Sequence, residues 1–322
     1  MRRIPENGLP LRVGISSCLL GERVRYDGGH KQDHYLMDIL AQFFEFVPVC
    51  PEMEAGMSVP REPVRLQGDP ESPRMIGTKT GADWTERLNE FARRRTRQLT
   101  GMHLSGYILK KGSPSCGLER VKVYGEQGMP ARKGRGLFAA ALLERLPILP
   151  VEEEGRLNDI GNRENFITRV FAYHRLQDLF RGRWSRGRVV AFHAAHKYLL
   201  LAHSAELYRQ LGRLVANVKD YLPGEFRDRY SELFMQALNR RATVKKNVNV
   251  LHHLLGFLKQ SLTVRDKQAL LSVIEDYRQE IVPLIVPLTL VKHYLAQEGN
   301  EFSRNQVYLN PHPRELKLRN HA

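Results

Sequence analysis

Short apolar runs alternate with helix-period stretches through the first half of the chain. Leu11–Ile15, Phe46–Val49 and Tyr107–Leu109 read as buried strands. Asp33–Phe44 places Leu36, Ile39, Leu40 and Phe43 on one face of a helix. Trp84–Leu99 predicts a charged helix, with Asp83 as N-cap and Glu86 at capping-box spacing. Leu137–Leu146 predicts another helix, and Pro147–Val151 a last strand. This alternation implies right-handed βαβ units and a mostly parallel sheet. The acidic run Glu152-Glu153-Glu154-Gly155 marks the expected boundary. Beyond it the period is helical throughout, over Phe192–Val215, Glu225–Leu238, Val248–Leu262, Ala269–Tyr277 and Val286–Leu295. Asn305–Ala322, with Pro311 and Pro313, reads as an extended tail. The expected architecture is an α/β, Rossmann-like domain with a mostly parallel sheet over residues 1–155, then an all-α domain over residues 156–322.

Composition changes this picture in two respects. The longest apolar stretch near the C-terminus, Ile281–Val291, is too short to cross a bilayer and holds Pro283 and Pro287. Met1–Glu6 lacks the apolar core of a signal peptide. A cytoplasmic protein without membrane contact is therefore expected, and an odd cysteine count argues against a disulfide framework. The net charge of +15 is uneven. Residues 1–155 hold 23 Lys+Arg against 20 Asp+Glu, a net of +3, whereas residues 156–322 hold 27 against 15, a net of +12. A basic half of this kind attracts polyanions, because neutralising phosphates releases condensed counterions. Nucleic acid is the partner this predicts; no protein partner is implied.

The three cysteines share a context. Cys18 follows Val13-Gly14-Ile15-Ser16-Ser17, Cys50 follows Phe46-Val47-Pro48-Val49, and Cys116 sits in Ser113-Pro114-Ser115-Cys116-Gly117. Separations of 32 and 66 residues fit no compact metal motif. If the preceding runs are parallel strands, however, three thiols reach one rim of one sheet, where open α/β sheets bind ligands. Three thiolates suit an iron–sulfur cluster, or a zinc ion with one open position. The plainer alternative is three small buried hydrophobes. Lys110 and Lys111 should favour the thiolate of Cys116. Glu52, two residues past Cys50, is a candidate ligand, general acid or base, or surface charge. Ser113 and Ser115 offer hydroxyls to a site or to a turn, and Tyr26-Asp27-Gly28-Gly29 reads as a turn with Asp27 bonding its own loop.

In the second half, His193, His196, Lys197 and His203 share a helical face. No acid or cysteine completes a metal site, so a polar face meeting solvent, RNA or another helix is expected. Arg181, Arg183, Arg186 and Arg188 crowd Trp184, and Arg240, Arg241, Lys245 and Lys246 form a second basic cluster. Arginines beside aromatics suit phosphate contact and base stacking, against the alternative of solvated charge.

Ile15-Ser16-Ser17-Cys18-Leu19-Leu20-Gly21, Arg25-Tyr26-Asp27-Gly28, Pro48-Val49-Cys50-Pro51-Glu52 and Ser113-Pro114-Ser115-Cys116-Gly117, in this order, resemble the signature of the thiouracil desulfidase family over about residues 11–150. Phe192-His193-Ala194-Ala195-His196-Lys197-Tyr198-Leu199-Leu200 resembles an all-helical domain fused to that family in bacteria, an arrangement similar to the tRNA 4-thiouridine desulfidases. The resemblance implies a [4Fe-4S] cluster on Cys18, Cys50 and Cys116, with a fourth iron that takes the substrate's thiocarbonyl sulfur. It implies non-redox hydrolysis of 4-thiouridine to uridine and sulfide. Glu52 would activate water or shuttle protons. Ser113 would bond the substrate or an intermediate, with Ser115, Tyr26 and Asp27 also toward the substrate. The basic helical half would hold tRNA. Two other readings stay open: a desulfidase of small thiolated bases or nucleosides, and an RNA-binding protein with a structural metal site.

Overall fold

A computed structural model describes residues 11–125, 128–298 and 300–320. The N-terminal Met1–Glu6 segment lies outside the described residues. The chain divides into two compact units, Met1–Asn158 and Asp159–Ala322. Among the described residues, no helix is long and apolar enough to cross a membrane.

The described residues of the first unit hold eight strands, β1 (Arg12–Ser16), β2 (Glu45–Val49), β3 (Val64–Gln67), β4 (Arg74–Gly77), β5 (Gly106–Leu109), β6 (Val121–Tyr124), β7 (Pro130–Gly134) and β8 (Val151–Glu153). Three α-helices accompany them: α1 (Pro51–Glu54), α2 (Thr85–Gly101) and α3 (Leu137–Arg145). One sheet runs β2-β1-β5-β8, every neighbouring pair parallel. This is the parallel α/β sheet that the alternating pattern implies. Its strands are buried through Val13, Ile15, Val49, Tyr107, Ile108 and Leu109. Phe138 on α3 joins the layers, 5.9 Å between ring centroids from Tyr107 on the sheet and 6.4 Å from Phe91 on α2. Gly14 is needed at its position, because a Cβ there would overlap the Tyr107 ring lying across β1. A second sheet, β4-β3-β6-β7, was not foreseen; β3 pairs antiparallel with β4 and parallel with β6.

Three local expectations are corrected in this unit. Asp33–Phe44 is a π-helical turn, Tyr35–Ile39, followed by a 3-10 turn, Leu40–Gln42. The wider π turn rotates Ile39 out to 39% exposure while Leu36 and Leu40 stay buried. Asp83 does not close a capping box; its carboxylate accepts from Thr85 and pairs with Arg74, and Glu86 pairs with Arg93. The last strand is Val151–Glu153 rather than Pro147–Val151, so the acidic run begins inside the sheet. Glu152 and Glu153 are buried there.

The second unit contains α4 (Ile160–Phe180), α5 (Arg186–Ala195), α6 (Lys197–His203), α7 (Ala205–Ala216), α8 (Pro223–Asn239), α9 (Val244–Gly256), α10 (Val264–Arg278), α11 (Ile285–Glu298) and α12 (Glu301–Arg304). The pattern missed α4, the longest. Phe166, Ile167, Val170, Phe171, Ala172 and Tyr173 are buried in near-continuous succession, so there is no one-sided stripe to detect. Phe192–Val215 is three helices, not one. The chain leaves helical geometry at His196 and is extended at Ser204, whose hydroxyl caps α7 by accepting from Leu207 N. The expected polar histidine face is buried. His196 stacks on Phe192 at 3.9 Å, and His203 Nδ1 bonds Arg240 O at 2.6 Å. Burial pushes His196 down to about 3 and His203 to about 4.

Residues 305–320 are not an extended tail. Tyr308, Leu309, Leu316 and Leu318 are buried. Tyr308 OH donates to Asn247 Oδ1 at 3.0 Å, and Asn247 Nδ2 donates to Tyr277 OH at 3.0 Å. Arg319 pairs with Glu164 at 3.1 Å. Pro311 and Pro313 stop helix growth there, but they do not stop burial.

Candidate functional site

β1 lies between β2 and β5, so the strand order reverses around it, and parallel pairing puts the carboxyl ends of all three on one rim. Each delivers one cysteine. Cys18 stands in the 3-10 turn Ser17–Leu20 after β1, Cys50 at the N-cap of α1 directly after β2, and Cys116 in the loop after β5. All three are free thiols lining one cavity of about 390 Å3. This is the crevice at a topological switch point where open α/β sheets take ligands.

Burial, foremost, pushes the Cys18 thiol up to about 11, with the neighbouring Cys50 adding to the rise. Burial raises Cys50 and Cys116 as well. The lysine expectation is thereby overturned for Cys116. Lys110 is spent on an ion pair with Glu154, and its charge acts on Cys18 instead, where burial outweighs it. Among the described residues, no group of three or more His, Cys, Asp or Glu is gathered as around a single ion. A cluster binds one thiolate per iron and suits three thiols spread around a cavity.

Beside the thiols runs a hydrogen-bonded chain. Ser115 Oγ donates to Glu52 Oε1 at 2.8 Å and lies 2.9 Å from Ser113 Oγ. Ser115's one hydroxyl proton is committed to Glu52, so Ser113 must donate to Ser115. Ser113 Oγ in turn accepts from Ser115 N at 3.3 Å and Cys116 N at 3.2 Å, which fixes the cysteine loop. The other oxygen, Glu52 Oε2, is gripped by Arg61, from Nε at 3.1 Å and also from Nη2. Arg61 also donates to Val24 O at 3.0 Å and Ser58 O at 3.1 Å, so it ties the segment after Cys18 to the one after Cys50. The two side chains are 7% and 14% exposed. Sequence reasoning missed Arg61; nothing in Val59-Pro60-Arg61-Glu62-Pro63 marks it out from a surface arginine.

The buried acidic run serves the same rim. Leu118 N donates to Glu153 Oε1 at 2.9 Å and Lys111 N to Glu154 Oε2 at 2.7 Å, pinning both ends of the Cys116 loop to the end of β8. Tyr26 lines the cavity, 40% exposed, with Arg25 5.4 Å from its ring centroid. Asp27 is not among the lining residues; it accepts from Gly29 N at 3.0 Å, as its turn reading has it.

The two basic clusters lie at opposite ends of α4. Arg241 pairs with Asp159, the N-cap of that helix, and Arg181 with Asp178 near its other end. A helix of 21 residues separates them by roughly 30 Å. Arg181, Arg183, Arg186 and Arg188 are exposed, whereas Trp184 packs on Phe180 and Phe226 instead of standing free. Arg240 pairs with Glu206, and Lys246 donates to His203 O at 2.7 Å; Lys245 is exposed.

The profile of a family described as 2-thiouracil desulfurase matches residues 13–154, and that of a protein family of unknown function, DUF1722, matches residues 197–313. The chain is 30% identical over 157 residues to the uncharacterized protein YbgA of Escherichia coli (strain K12), covering 48% of this chain and 93% of that protein. It is 34% identical over 151 residues to the uncharacterized protein YbbK of Bacillus subtilis (strain 168), covering 45% and 97%. Among solved structures it is similar to the [4Fe-4S]-dependent thiouracil desulfidase TudS, at 30% identity and a TM-score of 0.37, over 46% of this chain and 93% of that one.

Proposed function

Because the chain belongs to the thiouracil desulfurase family, with a DUF1722 domain as its second part, we propose that it removes sulfur from thiolated uracil within tRNA, turning 4-thiouridine into uridine and sulfide by hydrolysis. The coarse activity, desulfuration of a thiolated uracil, follows from the family; tRNA as substrate and the assignment of roles are our reading. The carrying observation is the convergence of Cys18, Cys50 and Cys116 on one cavity beside Glu52. The three cysteines would hold a [4Fe-4S] cluster, whose iron without a protein ligand supplies a Lewis acid for the thiocarbonyl sulfur.

The chain's own residues supply the rest. Glu52 takes the proton of the attacking water, so that oxygen replaces sulfur at the ring carbon and hydrogen sulfide leaves with no net electron transfer. Arg61 holds that carboxylate in place by gripping Oε2, while Oε1 faces the serines. The chain Ser113 to Ser115 to Glu52 connects cavity and base, a path by which a proton returns to the departing sulfur. Tyr26, at the wall, offers a stacking face to a base drawn out of its stack. The net of +12 in residues 156–322 is what supports tRNA over a free base.

The test is anaerobic. The protein is reconstituted with iron and sulfide, given 4-thiouridine-containing tRNA or free 4-thiouracil, and followed by loss of near-ultraviolet absorbance together with sulfide release. Turnover of the tRNA, abolished in Cys50→Ala and lowered about 100- to 10,000-fold in Glu52→Gln, is expected. Turnover of the free base alone would refute the tRNA reading. Absence of both in a cluster-loaded preparation would refute desulfuration and leave RNA binding.

A further inference from the structure

The small sheet, β4-β3-β6-β7, carries a basic face of its own. Along β6, Val121 and Val123 face inward, while Lys122 and Tyr124 stand on the other face. The hairpin register sets Lys122 directly opposite Arg132 of β7, and both are exposed. Like charges directly opposite each other weaken an antiparallel pair. Neither is in an ion pair with a carboxylate among the described residues. Beside them, Arg65 of β3 lies 5.0 Å over the Tyr124 ring, on the same face. The carboxylates of the β3–β4 turn, Asp69 and Glu71, follow Gln67 at the end of β3 where Tyr124 pairs, so they border the face without standing on its strands. At the other end of β3, Pro63 and Val64 line the thiol cavity. Arg65, Lys122, Tyr124 and Arg132 thus make a basic face with one aromatic on strands of which the first begins at the cavity wall, and such a face matches a phosphate backbone better than a neutral partner.

We propose that Arg65, Lys122, Tyr124 and Arg132 form an RNA-docking face that holds the strand flanking the nucleotide in the cavity. Lys122 and Arg132 contact phosphates, and the Arg65–Tyr124 stack takes an unpaired base. This rests on the tRNA reading above and adds to it that the catalytic unit itself grips the RNA, apart from the helical unit.

The test is tRNA binding by fluorescence anisotropy over a salt series, with the full-length protein, its Lys122→Glu/Arg132→Glu variant and the single Lys122→Glu variant. Loss of two phosphate contacts lowers affinity roughly tenfold at 0.15 M salt and flattens the slope of log affinity against log salt by about 1.5. The single variant turns a like-charge pair into an opposite-charge pair, so its melting temperature should hold or rise while its tRNA affinity falls. Turnover of free 4-thiouracil should be unchanged in both variants. Parental tRNA affinity and slope in the double variant would overturn the docking face and leave the proposed function standing. A parent protein that turns over 4-thiouracil but does not bind tRNA would overturn both the tRNA reading and the docking face built on it. Equal loss of 4-thiouracil turnover in the variants would show a folding effect and also count against the face.

Discussion

Arg61→Met tests how the candidate base is held. The Arg61–Glu52 pair is nearly dry, at 7% and 14% side-chain exposure, so solvent screens it little. Removing one partner of such a pair typically costs about 3–5 kcal/mol, because the other charge is stranded. Arg61→Met should therefore lower stability by about 3 kcal/mol and, with Glu52 no longer fixed beside the cavity, cut kcat/KM for 4-thiouracil by about 100-fold. Arg61→Lys keeps the positive charge and loses the two-nitrogen grip, so it should regain most of the stability and little of the rate. The assay is chemical denaturation together with turnover by cluster-reconstituted protein for each variant. Parental stability and rate in the methionine variant would refute the reasoning, as would a lysine variant as destabilised as the methionine one.

Two further outcomes are expected. His196 and His203 are held neutral by burial, at about 3 and 4 against an unfolded value near 6.5. A lowered histidine value means stability is intact above about pH 6.5 and is lost as pH falls toward 4, at up to about 1.4 kcal/mol per pH unit for each group. Trp184 fluorescence in a Trp84→Phe background, with far-ultraviolet circular dichroism, should report the helical unit loosening between pH 6 and 4; flat signals over that range would contradict the assignment. Tyr308→Phe strips the donor from buried Asn247 Oδ1 and should cost about 1–3 kcal/mol in chemical denaturation; an unchanged midpoint would mean that residues 305–320 are not held as described.

The gathering of the three cysteines at one rim was legible because it is written locally. Each cysteine stands just past an apolar strand with a loop of small residues, and only parallel pairing was needed to bring the three together. The helices with one-sided stripes were legible for the same reason, since periodicity records a single buried face. What escaped was non-local. α4 is enclosed along its length and shows no stripe. Glu152 and Glu153 looked like a linker because carboxylates rarely enter a sheet, yet Glu153 is held there by the backbone of the cysteine loop. Arg61 acts through partners at positions 24, 52 and 58, a convergence that no local pattern announces. The second sheet is built from four-residue strands and a five-residue one, too short for alternation to register.

The strand order also sets a timetable during synthesis. Cys18 and Cys50 follow the first two strands, but the third thiol comes only after β5, which pairs with β1, so no ribosome-bound fragment shorter than about 116 residues holds more than two of the three thiols. All three lie before Asp159, where the helical unit begins. At about 5–20 residues per second, that second unit takes roughly 10–30 s to emerge. Through that interval the sheet can fold with its thiols complete and no helical unit yet present, which would give loading of the proposed cluster a window on the nascent chain.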